Sequence, residues 1–451
     1  MSATRRILDC FPGPSLPASC RDTYVRHLVY ALLDATAAGI LANAPLMAVK
    51  GMGSPPWQMA VQMTISSVGM FFTLYWGAYM AHRKKMPFVV GPGLAFVACS
   101  VGMAVTHDVL PFLVLAGMGA LFETLARPAI VAVIREKYPA AHRGAVTGRI
   151  RTWCSLVFLI SGIASAWSLD RTSATPLPMI RSQMLLAAAL SVAGFLVFRT
   201  IRLDDVRNGR GLRPSQPIRE ALHIARTDGR FARYLLIGGL YSLGGMLFAS
   251  FLPVLFSNRL KCGYLVSTLF LHVQPGILAF AATGWIGNQI DRSNPWATWR
   301  WIRLGWGLDP VLLAAAPGLA VFSPTCALAL VFTARTFRGL VMGGSWLLWW
   351  QVGVCHFARP GADTTRYQGM ALFMNGFARL TGPIVGALLL HSASIEVVLL
   401  AGGSVVLLSA WLSSRELARE ERHTELSTIE RFERQFERKW RRSSPTEFPV
   451  G

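Results

Sequence analysis

The feature that most constrains this chain is a succession of long apolar stretches separated by short polar or charged connections. A helix needs about 20 mostly apolar residues to cross the roughly 30 Å hydrocarbon core of a bilayer. Twelve such stretches predict an all-α membrane protein with twelve transmembrane helices. The predicted spans are 27–48, 57–80, 88–106, 109–134, 149–168, 181–200, 233–256, 264–287, 296–317, 324–350, 367–390 and 395–413.

The composition excludes an ordinary soluble protein. Charged residues make up 15% of the 451 residues and hydrophobic residues 53%, whereas a typical soluble domain has about 25% charged residues. In so apolar a chain the net charge of +21 indicates membrane topology, and we expect no nucleic-acid partner. The seven cysteines lack metal-ligand spacing, so neither a metal site nor a disulfide framework is expected.

Lysine and arginine are concentrated in alternate connections, including Arg83 to Lys85, Arg135 to Arg143 and Arg292 to Arg303. The remaining connections keep only Lys50, Arg171, Arg181, Arg259 and Lys261. Because basic connections stay on the cytosolic side, both termini are predicted to be cytosolic. We expect a multi-pass protein of the cell inner membrane without a cleavable signal peptide.

A long basic connection near the middle divides the helices into six and six. We predict five segments: a cytosolic N-terminal segment 1–25, a six-helix bundle 26–200, a cytosolic linker 201–232, a second six-helix bundle 233–414 and a charged cytosolic tail helix 415–451. The linker is expected to lie on the anionic membrane face. The tail is interpreted as a plain cytosolic or membrane-surface helix, with a partner-binding helix as the alternative.

Two corresponding connections, after the second and the eighth predicted helix, each follow a glycine and carry basic residues. They resemble the hallmark G-x-x-x-D-R-x-G-R-[RK] motif of the major facilitator superfamily. The later copy keeps the glycine, aspartate and arginine, whereas the earlier copy has Ala81 in place of the aspartate. The candidate gating residues of the two connections are Gly77, Arg83, Gly287, Asp291 and Arg292.

A second pair of motifs supports the resemblance: Tyr138-Pro139 before the fifth helix and Arg359-Pro360 before the eleventh. The likeness covers about residues 25 to 413. It implies two six-helix bundles that rock about a site at the bilayer midplane and expose it to each side in turn. It therefore implies a secondary transporter of a small solute, with no covalent chemistry and no cofactor.

Ionisable residues inside the predicted spans are the candidate functional residues, because a charge at a helix centre costs about 2.5–3.5 kcal/mol on insertion scales. Asp34 is interpreted either as a proton-coupling carboxylate or as the structural partner of an arginine. Glu123 and Arg127 have the i,i+4 spacing of an ion pair on one helix face. The candidate substrate and coupling residues are Asp34, Glu123, Arg127, Arg335, Arg338, Asn375 and Arg379.

Arginine is in surplus among these embedded groups. The spans contain four arginines, Arg127, Arg335, Arg338 and Arg379, but only three acidic residues, Asp34, Glu123 and Asp309. A guanidinium group suits carboxylate or phosphate, so a small organic anion is the favoured solute. A neutral or cationic amphiphile, held by aromatic side chains, is the second interpretation.

Alternative functions remain open at this point. Arg335-x-x-x-Gly339 resembles a motif that drug-exporting members carry in the fourth helix, so a multidrug or amphiphile efflux permease is one alternative. A receptor or scaffold that no longer transports and signals through the tail is another. An enzyme is not expected, because the sequence shows no paired carboxylates or nucleophile motif. The expected partners are the solute and the lipid bilayer, with protons as the coupling species, and we expect a monomer.

Two local predictions concern single helices. His272 and Gln274 before Pro275 predict a kink in the eighth helix. Trp349, Trp350 and Gln351 are candidate gate residues near the cytosolic end of the tenth.

Overall fold

The computed structural model describes residues 18–80, 83–172, 174–201, 223–224, 226–347, 353–359 and 364–443. The regular structure in these ranges is helical. Eleven helices there are long and apolar enough to cross a bilayer, and Pro56–Met80, with 25 residues, is the twelfth long helix. The predicted all-α architecture with twelve long helices is confirmed.

The N-terminal half comprises α1 Ala18–Leu41, α2 Pro56–Met80, α3 Pro87–Val105, α4 Val109–Lys137, α5 Ala140–Arg171 and α6 Pro176–Arg199. The C-terminal half comprises α7 Gly229–Ala249, α8 264–292, α9 Pro295–Phe322, α10 Pro324–Leu347, α11 Thr364–Ser392 and α12 Ile395–Ser443. Helix α8 consists of three consecutive segments: an α-helical segment Tyr264–Thr268, a π turn Leu269–Val273 and an α-helical segment Gln274–Arg292. A short helix, Gly353–Phe357, lies between α10 and α11.

Both halves follow the same packing order. In the first, α1 packs against α5 and α6, α3 against α4 and α6, and α2 against α4. In the second, α7 packs against α11 and α12, α9 against α10 and α12, and α8 against α10. The pairs correspond one to one, so the two six-helix bundles are structural repeats, as many transporter folds contain.

The repeat extends to the backbone at the ends of α1 and α7. Helix α1 is followed by a short α-helical turn Ala44–Leu46 and a π turn Met47–Gly51, and α7 is followed by Leu252–Val254 and the π turn Leu255–Arg259. Both short turns contain a proline. Because proline donates no backbone hydrogen bond, each helix is interrupted at the same place.

The alternation of the helices defines two ends of the molecule. The connections 83–86, 138–139 and 293–294 lie at one end, here named the basic side, and the connections 52–55, 106–108 and 260–263 lie at the other, here named the opposite side. The first of these connections carries Arg83, Lys84 and Lys85.

Several helix boundaries differ from the predicted spans. Helix α1 begins at Ala18 rather than near residue 27, because Tyr24 and Leu28 pack into a buried cluster with Tyr138. Helix α8 continues to Arg292, so the candidate gating residues Gly287, Asp291 and Arg292 lie in the last turns of a helix rather than in a loop. Apolar stretches mark the membrane-embedded part of a helix, whereas packing outside the bilayer extends it.

Helix α12 continues without a break from residue 395 to residue 443, so the predicted boundary at residues 414 and 415 is not a helix end. Two acidic side chains attach the first turns beyond this boundary to the bundle. Glu416 pairs with Arg233 at 2.7 Å, and Glu420 pairs with Arg230 at 3.0 Å.

Several predicted features lie outside the described residues. They are residues 1–17 of the N-terminal segment, most of the linker 201–232, Ala81, the side chain of Asp291 and the candidate gate residues Trp349, Trp350 and Gln351.

Candidate functional site

The two bundles meet along two helix pairs, α2 with α11 and α5 with α8. At the opposite side, the Asp170 carboxylate at the end of α5 accepts hydrogen bonds from the backbone N–H groups of Tyr264 and Leu265, both at 2.7 Å. A carboxylate at a helix N-terminus satisfies free N–H groups and interacts favourably with the helix dipole. Asp170 of one bundle therefore caps α8 of the other.

Asn43, in the interruption of α1, supplies a second link between the bundles. Its side-chain oxygen accepts a hydrogen bond from the Thr268 hydroxyl at 2.7 Å, and its amide donates to the Gly162 carbonyl at 3.0 Å. The sequence analysis missed this residue, although an asparagine two positions before a proline in an apolar stretch is a usable signal.

Lys50 supplies a third link at the same end. Its Nζ donates a hydrogen bond to the Cys262 carbonyl and lies 4.7 Å from the centroid of the Tyr264 ring. A buried apolar cluster that includes Met47 and Leu255 joins the two halves there. The opposite side of the molecule is closed by polar and apolar contacts together.

Three of the predicted charged residues come together between the helices. Arg127 Nη2 lies 2.5 Å from Glu123 Oε1, so the predicted ion pair in α4 is present. Asp34 of α1 lies within electrostatic range of both side chains. The Arg127 side chain is 61% exposed, which leaves its guanidinium accessible to a solute despite the ion pair.

Arg379 approaches this group from the second bundle. It projects from α11, and its guanidinium lies within electrostatic range of Arg127. The buried Arg379 Nε has no hydrogen-bond partner among the residues that the structure describes. Arg151 of α5 also lies within range of Arg127. Positive side chains from both bundles therefore lie within electrostatic range of Arg127.

Arg335 and Arg338 form a separate buried cluster inside the second bundle. Arg335 Nη1 lies 3.0 and 2.9 Å from the two carboxylate oxygens of Asp309. Arg338 Nη1 lies 3.7 Å from Asp309 Oδ2, and its guanidinium carbon lies 3.1 Å from the centroid of the Trp306 ring. Asp309 provides a structural explanation for Arg335, whereas solute binding by Arg335 and Arg338 stays a prediction.

A π turn, Leu269–Val273, lies directly before Gln274 and Pro275, where a kink was predicted. Proline removes one hydrogen bond of the helix, and π turns are frequent at functional positions. The Phe270 carbonyl accepts a hydrogen bond from Arg335 Nε at 3.0 Å. The turn thus connects the Asp309 cluster to α8, the helix that Asp170 caps.

The assignment of Arg303 to a basic connection was wrong. Helix α9 begins at Pro295, and Arg303 lies two turns inside it with 1% of its surface exposed. Its guanidinium carbon lies 3.9 Å from the centroid of the Trp299 ring, and its Nη1 donates to the Ser409 carbonyl at 3.2 Å. The predicted span 296–317 already included Arg303, so the two predictions for this residue disagreed and the span was the correct one.

Asn375 lies in the contact between α2 and α11. It is 3% exposed, and its amide nitrogen lies 3.7 Å from the Met70 sulfur. The next residue, Gly376, packs so closely on α2 that a β-carbon there would lie 2.8 Å from Phe71 Cα. Asn375 therefore lies at the bundle interface one turn before Arg379.

The candidate gating residues lie at the basic side. Gly77 lies in the last turns of α2, and Gly287 and Arg292 lie in the last turns of α8. The Arg83 guanidinium stacks on the Tyr79 ring, 4.0 Å from its centroid. Their role in gating stays a prediction.

The sequence matches one family model, described as the Major Facilitator Superfamily, over residues 27–359. The chain belongs to the Major Facilitator Superfamily. Its match covers both bundles up to the start of α11, which agrees with the paired motifs and the repeated packing order. No curated protein matches the sequence.

Solved structures of Major Facilitator Superfamily type share the fold. A peptide transporter POT has a TM-score of 0.64 at 13% identity, covering 93% of this chain and 99% of its own. The nucleoside transporter NupG has a TM-score of 0.63 at 14% identity, covering 87% and 99%. A D-xylose-proton symporter has a TM-score of 0.60 at 13% identity, covering 88% and 97%. These likenesses show the fold of the chain.

Proposed function

We propose that this Major Facilitator Superfamily chain is a secondary transporter that moves a small organic anion by alternating access. The observation that carries the proposal is that Arg127 and Arg379, which belong to different bundles, lie within electrostatic range of each other. A solute held by both residues contacts both halves of the protein, as a transported substrate must.

The charge of the solute follows from the repulsion between these two side chains. Two guanidinium groups within electrostatic range repel each other, and the repulsion is stronger in a partly desolvated site. An anion between them removes this repulsion, and the planar guanidinium matches a carboxylate or phosphate group. Glu123 balances one of the two positive charges, so we propose a monoanion or a dianion of small size.

Proton coupling is the second part of the proposal. Asp34 lies inside the first span, within range of Glu123 and Arg127. A carboxylate that competes with the anion for Arg127 would link proton uptake to anion binding. No metal or organic cofactor takes part in this scheme.

The same observations support a proposal for the side to which the site is open and for the cellular location of the protein. Because Asp170, Asn43 and Lys50 close the opposite side, we infer that the exposed surface of Arg127 faces the basic side. The excess of Lys and Arg there supports a cytosolic location for that side and for both termini, in the cell inner membrane. One chain contains both halves of the site, which supports a monomer.

The test is uptake into proteoliposomes of a panel of organic anions, neutral solutes and cations, with and without a proton gradient. Wild type is compared with Asp34→Asn, Arg379→Gln and Arg379→Lys. We expect anion uptake that Arg379→Gln abolishes and Arg379→Lys partly retains, because the lysine keeps the charge but loses the planar fork. Asp34→Asn should abolish the response to the proton gradient while exchange of anions continues.

Two other results of the uptake experiment would favour a different function. Uptake of neutral or cationic compounds that persists in Arg379→Gln would contradict the anion proposal and favour an amphiphile efflux permease. Absence of flux for every solute class, with a correctly folded protein, would favour the receptor or scaffold interpretation.

A further inference from the structure

A groove outside the interface of the two bundles lies at the basic side, between the start of α7 and the part of α12 that follows its apolar stretch. Its volume is about 530 Å³. Four arginines and a single glutamate contribute its charged lining: Arg233, Arg415, Arg419, Arg422 and Glu416. Leu236, Ile237 and Leu412 supply apolar walls.

The charges of the groove are unbalanced. Glu416 Oε2 lies 2.7 Å from Arg233 Nε, and Glu416 Oε1 lies 3.9 Å from Arg419 Nη1. Arg415 and Arg422 have no carboxylate partner among the side chains that the structure describes, which in α12 extend to Arg422. Arg422 Nε donates to the Ala418 carbonyl at 3.3 Å. The groove therefore presents excess positive charge to an anion.

The groove lies at the boundary of the membrane-spanning part. Trp411 is 52% exposed, and the Arg415 guanidinium lies 4.8 Å from the centroid of its ring. Leu236 on α7 is 56% exposed. Tryptophan and arginine side chains are typical of the level of the lipid headgroups, next to apolar side chains that face the acyl chains.

The framework of the groove is held by bonds between three helices. The Arg233–Glu416 pair ties α7 to α12. Glu420 accepts a hydrogen bond from the Trp296 indole N–H at 3.0 Å, which ties α9 to α12. These contacts fix the turn of α12 that carries Arg415 and Arg419, so the side chains are positioned before a ligand binds.

We propose that this groove binds the headgroup of an anionic phospholipid, with the phosphate near Arg415 and Arg419 and an acyl chain along Leu236 and Trp411. Basic pockets between transmembrane helices at the cytosolic face are known to hold anionic headgroups. A lipid fits better than a soluble anion, because apolar side chains line the groove and lead into the bilayer. The site is independent of the solute site near Arg379.

The test is native mass spectrometry of the full chain in detergent, titrated with dioctanoyl phosphatidylglycerol, dioctanoyl phosphatidylcholine or inorganic phosphate. We expect a saturable adduct with phosphatidylglycerol alone. Arg415→Gln combined with Arg419→Gln should weaken this adduct about tenfold, since each basic residue near the headgroup contributes to binding. The same pair changed to lysine should keep most of it.

The matched control is Arg171→Gln. Arg171 stacks on Trp167 at the opposite side, 4.0 Å from the ring centroid, in the same arrangement as Arg415 on Trp411 but outside the groove. This variant should bind phosphatidylglycerol as wild type does. Equal binding of phosphatidylcholine, an equally strong phosphate adduct, or an unchanged phosphatidylglycerol adduct in the double glutamine variant would each overturn the proposal. Size-exclusion profiles establish that each variant is folded.

Discussion

The carboxylate of Asp170 caps the helix that begins at Tyr264, although the two residues belong to different bundles. In the proposed alternating-access cycle, opening the opposite side would expose the N–H groups that the carboxylate now satisfies. The strength of this contact would therefore contribute to the balance between the two proposed states of access.

Asp170→Asn should shift this balance toward opening of the opposite side. Asparagine removes the negative charge at the helix N-terminus and one of the two hydrogen-bond acceptors, at a cost of about 0.3–1 kcal/mol, which corresponds to an increase of about 2- to 5-fold in the open population. The measurement is the distance distribution between spin labels on α5 and α8. Asp108→Asn is the matched control, because Asp108 precedes α4 at the same side and makes no capping hydrogen bond through its side chain. An equal shift in both variants would contradict the gating role.

The rate at which the Cys262 thiol reacts measures how accessible this bundle contact is to solvent. Burial raises the pKa of the Cys262 thiol, and the nearby Lys50 lowers it by a smaller amount. Because the thiolate is the reactive form, a raised pKa means less thiolate at a given pH. In a variant that keeps Cys262 as its sole cysteine, maleimide labelling should be slow near neutral pH and accelerate as the pH rises through the raised pKa.

Adding Asp170→Asn to this variant should accelerate the labelling of Cys262 at neutral pH, because the gate opens more often. Rapid labelling of the closed protein at neutral pH would show that the thiol is not buried at this interface.

Asp309→Asn should strongly destabilise the protein. The side chain is fully buried and bonded to Arg335, so neutralising it leaves an uncompensated buried cation at a cost of about 3–5 kcal/mol. Thermal unfolding in detergent measures the loss, and Asp309→Asn with Arg335→Gln should recover part of it. The control is Glu396→Gln, whose pairing with Arg259 at 3.4 Å is partly exposed; ion pairs in contact with solvent are worth about 0–1 kcal/mol. Similar losses in both single variants would exclude a special role for the buried pair.

Gly376→Ala should impair transport more than stability. A β-carbon at this position would lie 2.8 Å from the backbone of Phe71, so α2 and α11 could no longer approach each other as they do here. We expect uptake to fall several-fold, because bundle motion needs this close contact. Gly284→Ala in α8 is the control, since a β-carbon there has open space around it. Uptake unchanged in Gly376→Ala would show that the contact is dispensable.

The Glu123–Arg127 pair illustrates what local sequence can predict about the site. Its two members are four residues apart on one helix, so the helical repeat alone brings them together, and the structure contains the pair. The approach of Arg379 to Arg127 was not predictable in this way, because it depends on how α11 packs beside the first bundle. The position of Arg303 was predicted wrongly for a related reason. Its burial depends on how α9 packs against α12, and a run of basic residues such as the one around it is typical of a loop.

The twelve long helices, their duplicated order and the basic side of the molecule could all be predicted from the order of the amino acids. This prediction was possible because a bilayer requires each span to satisfy its own backbone hydrogen bonds and to be apolar along about 20 consecutive residues. The tertiary structure decided which charges meet: Asp309 with Arg335, Asp170 with the start of α8, and Arg127 with Arg379. These partners lie on different helices, so the packing of the helices fixes the pairing and no local periodicity encodes it.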